Sequence, residues 1–152
     1  MALSLLTGLA LADGKATVGW IERVALTSDA LQMEAKVDTG ADYSSVHADG
    51  VRYFDRDGSR WVEFALYDQQ GKHYLLQRPL ERVARIKKKT GGALERPVVV
   101  LDLCIGGVRH QAQFNLAERG HFKYPLLLGR DFLKDRFLVD SSHKYLLTPA
   151  CE

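Results

Sequence analysis

The stretch Met33-Glu34-Ala35-Lys36-Val37-Asp38-Thr39-Gly40-Ala41 decides how this chain is read. Met33, Ala35 and Val37 alternate with polar neighbours, the period of two that puts one row of side chains on a core, so a strand is expected over Gln32 to Val37. That strand runs straight into Asp38-Thr39-Gly40. A reactive carboxylate on a tight turn needs close backbone approach, which Gly40 permits, and the Thr39 hydroxyl is suited to tie the loop to its neighbour. The tripeptide alone is a weak signal, since Asp-[Ser/Thr]-Gly arises by chance in roughly one chain of this length in ten or twenty. Its context has to carry the reading.

Outward from this point the chain punctuates like β-structure. Short runs rich in Val, Ile, Tyr, Phe and Leu predict strands at Thr17 to Leu26, Ser45 to His47, Trp61 to Tyr67, His73 to Arg78, Pro97 to Ile105, Val108 to Leu116 and Phe137 to Val139. Asp57-Gly58, Gln70-Gly71 and Gly106-Gly107 supply hairpin turns. One short helix is expected, Arg130 to Asp135, directly after Gly129. Many short strands at roughly 8–12-residue spacing argue an all-β barrel or sandwich, and a barrel is favoured. The segment Arg82 to Arg96 is the odd one: two extended arms meet at a basic, Gly-containing tip, Lys87-Lys88-Lys89-Thr90-Gly91-Gly92, and it reads as a projecting hairpin or else as a solvated loop.

A length of 152 residues suits one domain, with 46% hydrophobic and 26% charged residues, ordinary for a globular fold. The formal charge of +2 is too small to argue for nucleic acid or an anionic membrane as partner, and no run approaches the roughly 20 apolar residues of a membrane span. The apolar run Leu3 to Ala12, ending in Ala10-Leu11-Ala12, reads as the tail of a leader, although no Lys or Arg precedes it; residues 1–16 are therefore taken as a leader remnant or N-terminal extension and 17–152 as the domain. Cys104 and Cys151 are expected to be buried or inert thiols, with a disulfide left open. His47, His73, His110, His121 and His143 have no metal-ligand spacing and are read as surface or structural imidazoles; His47 is the exception worth following, being near Asp38.

Far downstream stands Tyr124-Pro125-Leu126-Leu127-Leu128-Gly129-Arg130-Asp131. The pairing of Asp-Thr-Gly-Ala with a distant apolar-apolar-Gly-Arg-Asp resembles the retropepsin-like aspartic peptidases. It is closer still to a bacterial family labelled ATP-dependent zinc proteases, with Gly19-Trp20, Lys36-Val37-Asp38-Thr39-Gly40-Ala41, Ser44-Ser45-Val46-His47-Ala48, Leu127-Leu128-Gly129-Arg130 and Phe137-Leu138-Val139-Asp140. The resemblance covers residues 18 to 147 and implies a closed six-stranded acid-protease barrel in which the strand ending at Gly129 threads beside the Asp38 loop. Neither label-derived cofactor is supported: the chain has no His-Glu-x-x-His and no Gly-x-x-x-x-Gly-Lys-[Ser/Thr], and no metal or cofactor is expected.

Asp38 is the candidate catalytic residue; Thr39, Gly40, Ala41, Leu128, Gly129 and Arg130 are the candidate supports of its loop, with Arg130 and Asp131 bracing the helix start. Aspartic-peptidase chemistry needs two carboxylates about 3 Å apart sharing one proton. This chain contains one Asp-[Ser/Thr]-Gly, so a homodimer pairing Asp38 with its copy is expected. Lys87, Lys88, Lys89, Gly91 and Gly92, together with His47, are substrate or flap candidates. Some cytosolic relatives in the family trim glutamate tails, so a glutamyl or other peptide substrate is what the resemblance implies. Asp42-Tyr43 stands where those relatives commonly carry a basic residue, which is expected to disfavour such a tail and, with the leader-like start, to favour a periplasmic or secreted protein over a cytoplasmic one. The competing reading is a non-catalytic peptide- or protein-binding module on the same barrel. Trp20 and Trp61 are expected as core or interface anchors.

Overall fold

The computed structural model describes residues 14–26 and 30–151; the leader-like run lies outside them. In chain order the elements are β1 (Ala16–Gly19), β2 (Ile21–Leu26), β3 (Leu31–Val37), β4 (Ser44–His47), β5 (Asp49–Arg56), β6 (Ser59–Tyr67), β7 (His73–Pro79), β8 (Arg82–Lys87), β9 (Ala93–Ile105), β10 (Val108–Ala117), β11 (Leu126–Leu128), α1 (Arg130–Leu133) and β12 (Phe137–Asp140). β10 pairs with β4, β4 with β11, β11 with β3, β3 with β2, β2 with β9, and β9 back to β10. Six strands thus close on themselves, the all-β barrel with one short helix that the sequence led us to expect.

The alternation that announced β3 is what fills the barrel: Leu31, Met33, Ala35 and Val37 are buried, while Gln32 and Lys36 are exposed. β5, β6 and β7 form a separate three-stranded sheet whose Val62, Phe64, Leu66 and Leu76 join the same core. β9 is long enough to serve two purposes. Its second half belongs to the barrel, and its first half leaves the barrel to pair with β8 in a projecting hairpin.

Three local expectations change. The single strand expected over Thr17 to Leu26 breaks at Trp20, because the chain passes so close to the C-terminal segment that a Cβ on Gly19 would lie 2.4 Å from the His143 carbonyl oxygen. β5 was not anticipated, since its residues are almost all exposed and show no apolar alternation; only the hairpin turn at Asp57-Gly58, with both residues at positive φ, betrays it. The helix ends at Leu133 rather than Asp135, where Asp135 takes a positive φ.

The cysteines correct the inert-thiol expectation. Glu22 is fully buried and accepts N–H groups from Gly19 at 2.7 Å, Leu146 at 3.0 Å and Leu147 at 3.3 Å, the donors a buried carboxylate needs. This draws the tail onto the barrel, and Ala150 N–H reaches the Gly106 carbonyl at 2.7 Å. Cys151 then meets Cys104 with Cα atoms 5.9 Å apart, and the two form a disulfide across 47 positions of sequence. Closing a loop of that size stabilises by about 4 kcal/mol in the chain-entropy account.

Candidate active site

The Asp38 loop is built by threading. β11 lies between β3 and β4, parallel to β3 with Leu128 beside Val37 and antiparallel to β4 with Leu127 beside Ser45. The loop joining β3 to β4 must therefore arch over the end of β11, where the chain leaves at Gly129. Asp38 N–H donates to the Leu128 carbonyl at 2.9 Å, Gly40 N–H to Asp38 Oδ1 at 2.9 Å, and Ala41 N–H to the Asp38 carbonyl at 3.3 Å. Gly129 passes directly beneath: a Cβ there would lie 2.7 Å from both the carbonyl carbon and oxygen of Tyr43, which are backbone atoms with nowhere to retreat.

The helix start completes the fastening. Arg130 N–H donates to the Ala41 carbonyl at 2.9 Å and Asp131 N–H to the Asp42 carbonyl at 3.1 Å. The Arg130 guanidinium reaches the Thr39 carbonyl at 2.8 Å and pairs with the Asp42 carboxylate. Ser44 Oγ accepts from Gly129 N–H at 3.0 Å and donates to Asp131 Oδ1 at 2.7 Å. Thr39, Gly40, Ala41, Leu128, Gly129 and Arg130 are thus brought together around Asp38; Thr39 contributes its carbonyl to this bonding, and its side chain is exposed.

Beside Asp38 opens a cavity of about 390 Å³ lined by Trp20, Lys36, Asp38, Arg119, Phe122, Lys123, Tyr124 and Leu127. Trp20, expected as an anchor, is a wall here and meets Tyr124 edge-on at 6.4 Å. Trp61 stands elsewhere, on the sheet of β5 to β7, under the Arg56 guanidinium at 4.3 Å. Three cations, Lys36, Arg119 and Lys123, share the cavity with one carboxylate. Burial holds the Arg119 guanidinium below its ordinary range, the charge of Arg96 adds to this, and Asp38 opposes it. Sequence reasoning missed these three cations. Lys36 had a signal, as the outward neighbour of the Asp38 strand, whereas Arg119 and Lys123 lie in an irregular segment with none.

The remaining candidates are elsewhere. Lys87, Lys88, Lys89, Gly91 and Gly92 are exposed at the tip of the β8–β9 hairpin, which is closed by Lys88 N–H to the Gly92 carbonyl at 3.1 Å, and none of them lines the Asp38 cavity. At the base of that hairpin Arg82 stacks 5.6 Å over the Tyr43 ring, next to the Asp38 loop. His47 does not line the cavity either; its Nδ1 accepts the Arg119 backbone N–H at 2.8 Å. Among the described residues no three His, Cys, Asp or Glu side chains converge as metal ligands.

The sequence matches the family described as retropepsin-like aspartic endopeptidase RimB over residues 17–150, which is nearly the whole described chain. The chain belongs to the RimB-like family. A RimB-like segment also occurs in longer proteins: a probable alpha-L-glutamate ligase of Shewanella pealeana is 32% identical over 143 residues, covering 90% of this chain and 31% of that protein. One of the same description from Desulfotalea psychrophila is 31% identical over 111 residues, covering 71% and 24%. The chain therefore spans a third or less of the curated relatives it matches. A solved structure, the Legionella pneumophila protein Lpg0085 of unknown function, superposes with a TM-score of 0.75 at 31% identity, covering 86% of this chain and 97% of that one. No helix among the described residues is long and apolar enough to cross a membrane.

Proposed function

We propose that this RimB-like domain is an aspartic peptidase that works as a homodimer and hydrolyses an amide bond in an acidic peptide. The observation that carries the reading is the Asp38 carboxylate on a loop fastened from below by β11 and α1, at the edge of a cavity that contains no second carboxylate. A dyad is completed by Asp38 of a second copy. The two carboxyls share one proton; the ionised member takes a proton from water as it attacks the scissile carbonyl, and the protonated member donates to the carbonyl oxygen.

An apolar surface cavity adjoining the same loop supports the dimer. It is formed by Thr39, Arg130, Leu133, Lys134, Phe137, Leu138 and Val139, and Leu138 is 44% exposed. A copy seated there lies next to Asp38. The cations Lys36, Arg119 and Lys123 favour an anionic substrate, and the ligase description of relatives containing this segment agrees with a glutamyl one. Asp42 no longer speaks against it, because its charge is paired with Arg130. The β8–β9 hairpin, with Lys87 to Lys89 at its tip, is the candidate flap. The Cys104–Cys151 disulfide supports an oxidising compartment such as the periplasm, in preference to the cytoplasm.

The experiment is hydrolysis of quenched peptides rich in glutamate, measured across protein concentrations with parallel sedimentation. Specific activity is expected to rise with the dimer fraction and to vanish in Asp38→Asn. Turnover by a species that sediments as a monomer sinks the dyad, and binding of the peptides without hydrolysis favours the binding-module reading.

A further inference from the structure

His47 makes contacts that a passive surface imidazole does not need. Its side chain is only 13% exposed. Nδ1 faces the Arg119 backbone N–H at 2.8 Å, a group that can only donate, so Nδ1 carries no proton. The proton then sits on Nε2, 3.4 Å from Asp49 Oδ2. Asp49 in turn accepts the Tyr67 hydroxyl, a bond that raises the Tyr67 pKa, and the Tyr67 ring stacks on the imidazole at 6.2 Å with 22° between planes. The ring of His47 is thus held by β4, β5 and β6 at once. On its far side it holds Arg119, in a stretch after β10 that has no strand partner of its own.

Arg119 is the residue whose placement matters. Its guanidinium shares the cavity with Asp38, touches Ser45 Oγ at 3.4 Å and lies over the Phe122 ring at 4.4 Å. Its Nε is buried with no hydrogen-bond partner, as is the Nε of Arg96, whose charge acts on Arg119. Buried donors left unpaired cost free energy that an anionic ligand recovers. Arg119 therefore presents an incompletely satisfied guanidinium to the Asp38 cavity, a group suited to a carboxylate, and the backbone carrying it hangs on an imidazole.

We propose that His47 is a positioning residue: through its bond to the Arg119 backbone it aims the Arg119 guanidinium into the Asp38 cavity and so sets selectivity for an anionic substrate group. The proposal rests on the hydrolase reading above. It differs from the sequence expectation, in which His47 was itself a substrate or flap candidate. His47 touches no substrate; Arg119 does.

The test has a part that needs no turnover. Nitrogen-15 spectra of the imidazole in the wild-type domain are expected to show a pyridine-type Nδ1 and a protonated Nε2 for His47; the opposite tautomer overturns the proposal. The second part uses two quenched peptides that differ only in carrying glutamate or glutamine beside the scissile bond. His47→Ala is expected to raise KM about 10-fold for the glutamate peptide, with kcat within about 2-fold and the glutamine peptide unaffected. Arg119→Gln should raise KM for the glutamate peptide by at least as much, with no added loss on that peptide in the double variant. His47→Asn, whose side-chain carbonyl can accept the Arg119 N–H, should recover most of the difference. Equal losses on both peptides, or a fall in kcat alone, reject a positioning role. If the wild type cleaves neither peptide, the hydrolase reading fails, and calorimetric binding of the glutamate peptide decides this one: affinity reduced about 10-fold in His47→Ala supports it, and unchanged affinity rejects it.

Discussion

Two glycine-bearing loops stood out in this chain, and they are built in opposite ways. The Asp38 loop is tied to β11 and α1 through the Leu128, Thr39, Ala41 and Asp42 carbonyls, with Gly129 pressed against Tyr43. The tip of the β8–β9 hairpin is held by its own turn, and its lysines and glycines stand in solvent. In the first, Gly129 is present because the backbone of Tyr43 occupies the space where a side chain would go. In the second, no atom lies within 4 Å of a Cβ built on Gly91 or Gly92, and glycine serves only the positive φ of the turn. On the function proposed above, the Asp38 carboxylate gains from a rigid seat, while a hairpin that would admit and cover a substrate gains from a loose one.

The largest effect that would separate the two regions is chemical. Asp38→Asn should abolish hydrolysis, by at least about 10³-fold, and leave thermal stability nearly unchanged, since an amide oxygen can still accept the Gly40 N–H. Gly129→Ala should follow, costing about 1–3 kcal/mol in chemical denaturation and most of the activity, because the added methyl pushes on the Tyr43 backbone. Unchanged activity in that variant would break the idea that the loop's seat matters. Ser44→Ala leaves the Gly129 N–H without its partner and removes one of the two donors to Asp131 Oδ1, the other being the Phe132 N–H, and about 1–3 kcal/mol of stability should be lost.

A smaller effect is a pH dependence beneath the Asp38 loop. His110 packs against Phe132 of α1 at 5.1 Å, and burial, aided by the Arg136 charge, holds its pKa below the ordinary 6.5. A depressed folded-state pKa means that its contribution is present above about 6.5 and is lost as pH falls below it. Denaturation midpoints between pH 8 and pH 5 should therefore fall more steeply in the wild type than in His110→Phe. The smallest expected effect on stability lies at the other loop: changing Lys87, Lys88 and Lys89 together to Gln should move stability by less than about 0.5 kcal/mol while weakening capture of glutamate-rich peptide, by more at low salt than at high salt. A large loss of stability there would contradict the contrast drawn between the loops.

Much of this could be read from the sequence because it was local. The alternation of Met33, Ala35 and Val37 specified a strand and its buried face, whereas the meeting of Asp38-Thr39-Gly40 with Leu128-Gly129-Arg130 was implied by the family resemblance that these motifs carry. β5 escaped because its pairing to β6 depends on backbone hydrogen bonds, and its exposed side chains carry no periodic signal. The disulfide escaped for a different reason: Cys151 reaches Cys104 because the tail is bonded along the barrel, by Glu22 to the backbone of Leu146 and Leu147 more than a hundred positions away and by the Gly106 carbonyl to Ala150 N–H.

By itself, then, the sequence determined an all-β chain and the turn that carries the carboxylate, since strand periodicity and turn chemistry act over a few residues and leave a pattern in order, while closure into a barrel was what the family resemblance implied. The tertiary structure alone decided what surrounds that carboxylate: Arg119 beside Asp38, His47 behind Arg119, and Arg130 neutralising Asp42. Those contacts arise where strands remote in sequence are brought to one end of the barrel, and electrostatic neighbours chosen by threading have no spacing rule to announce them.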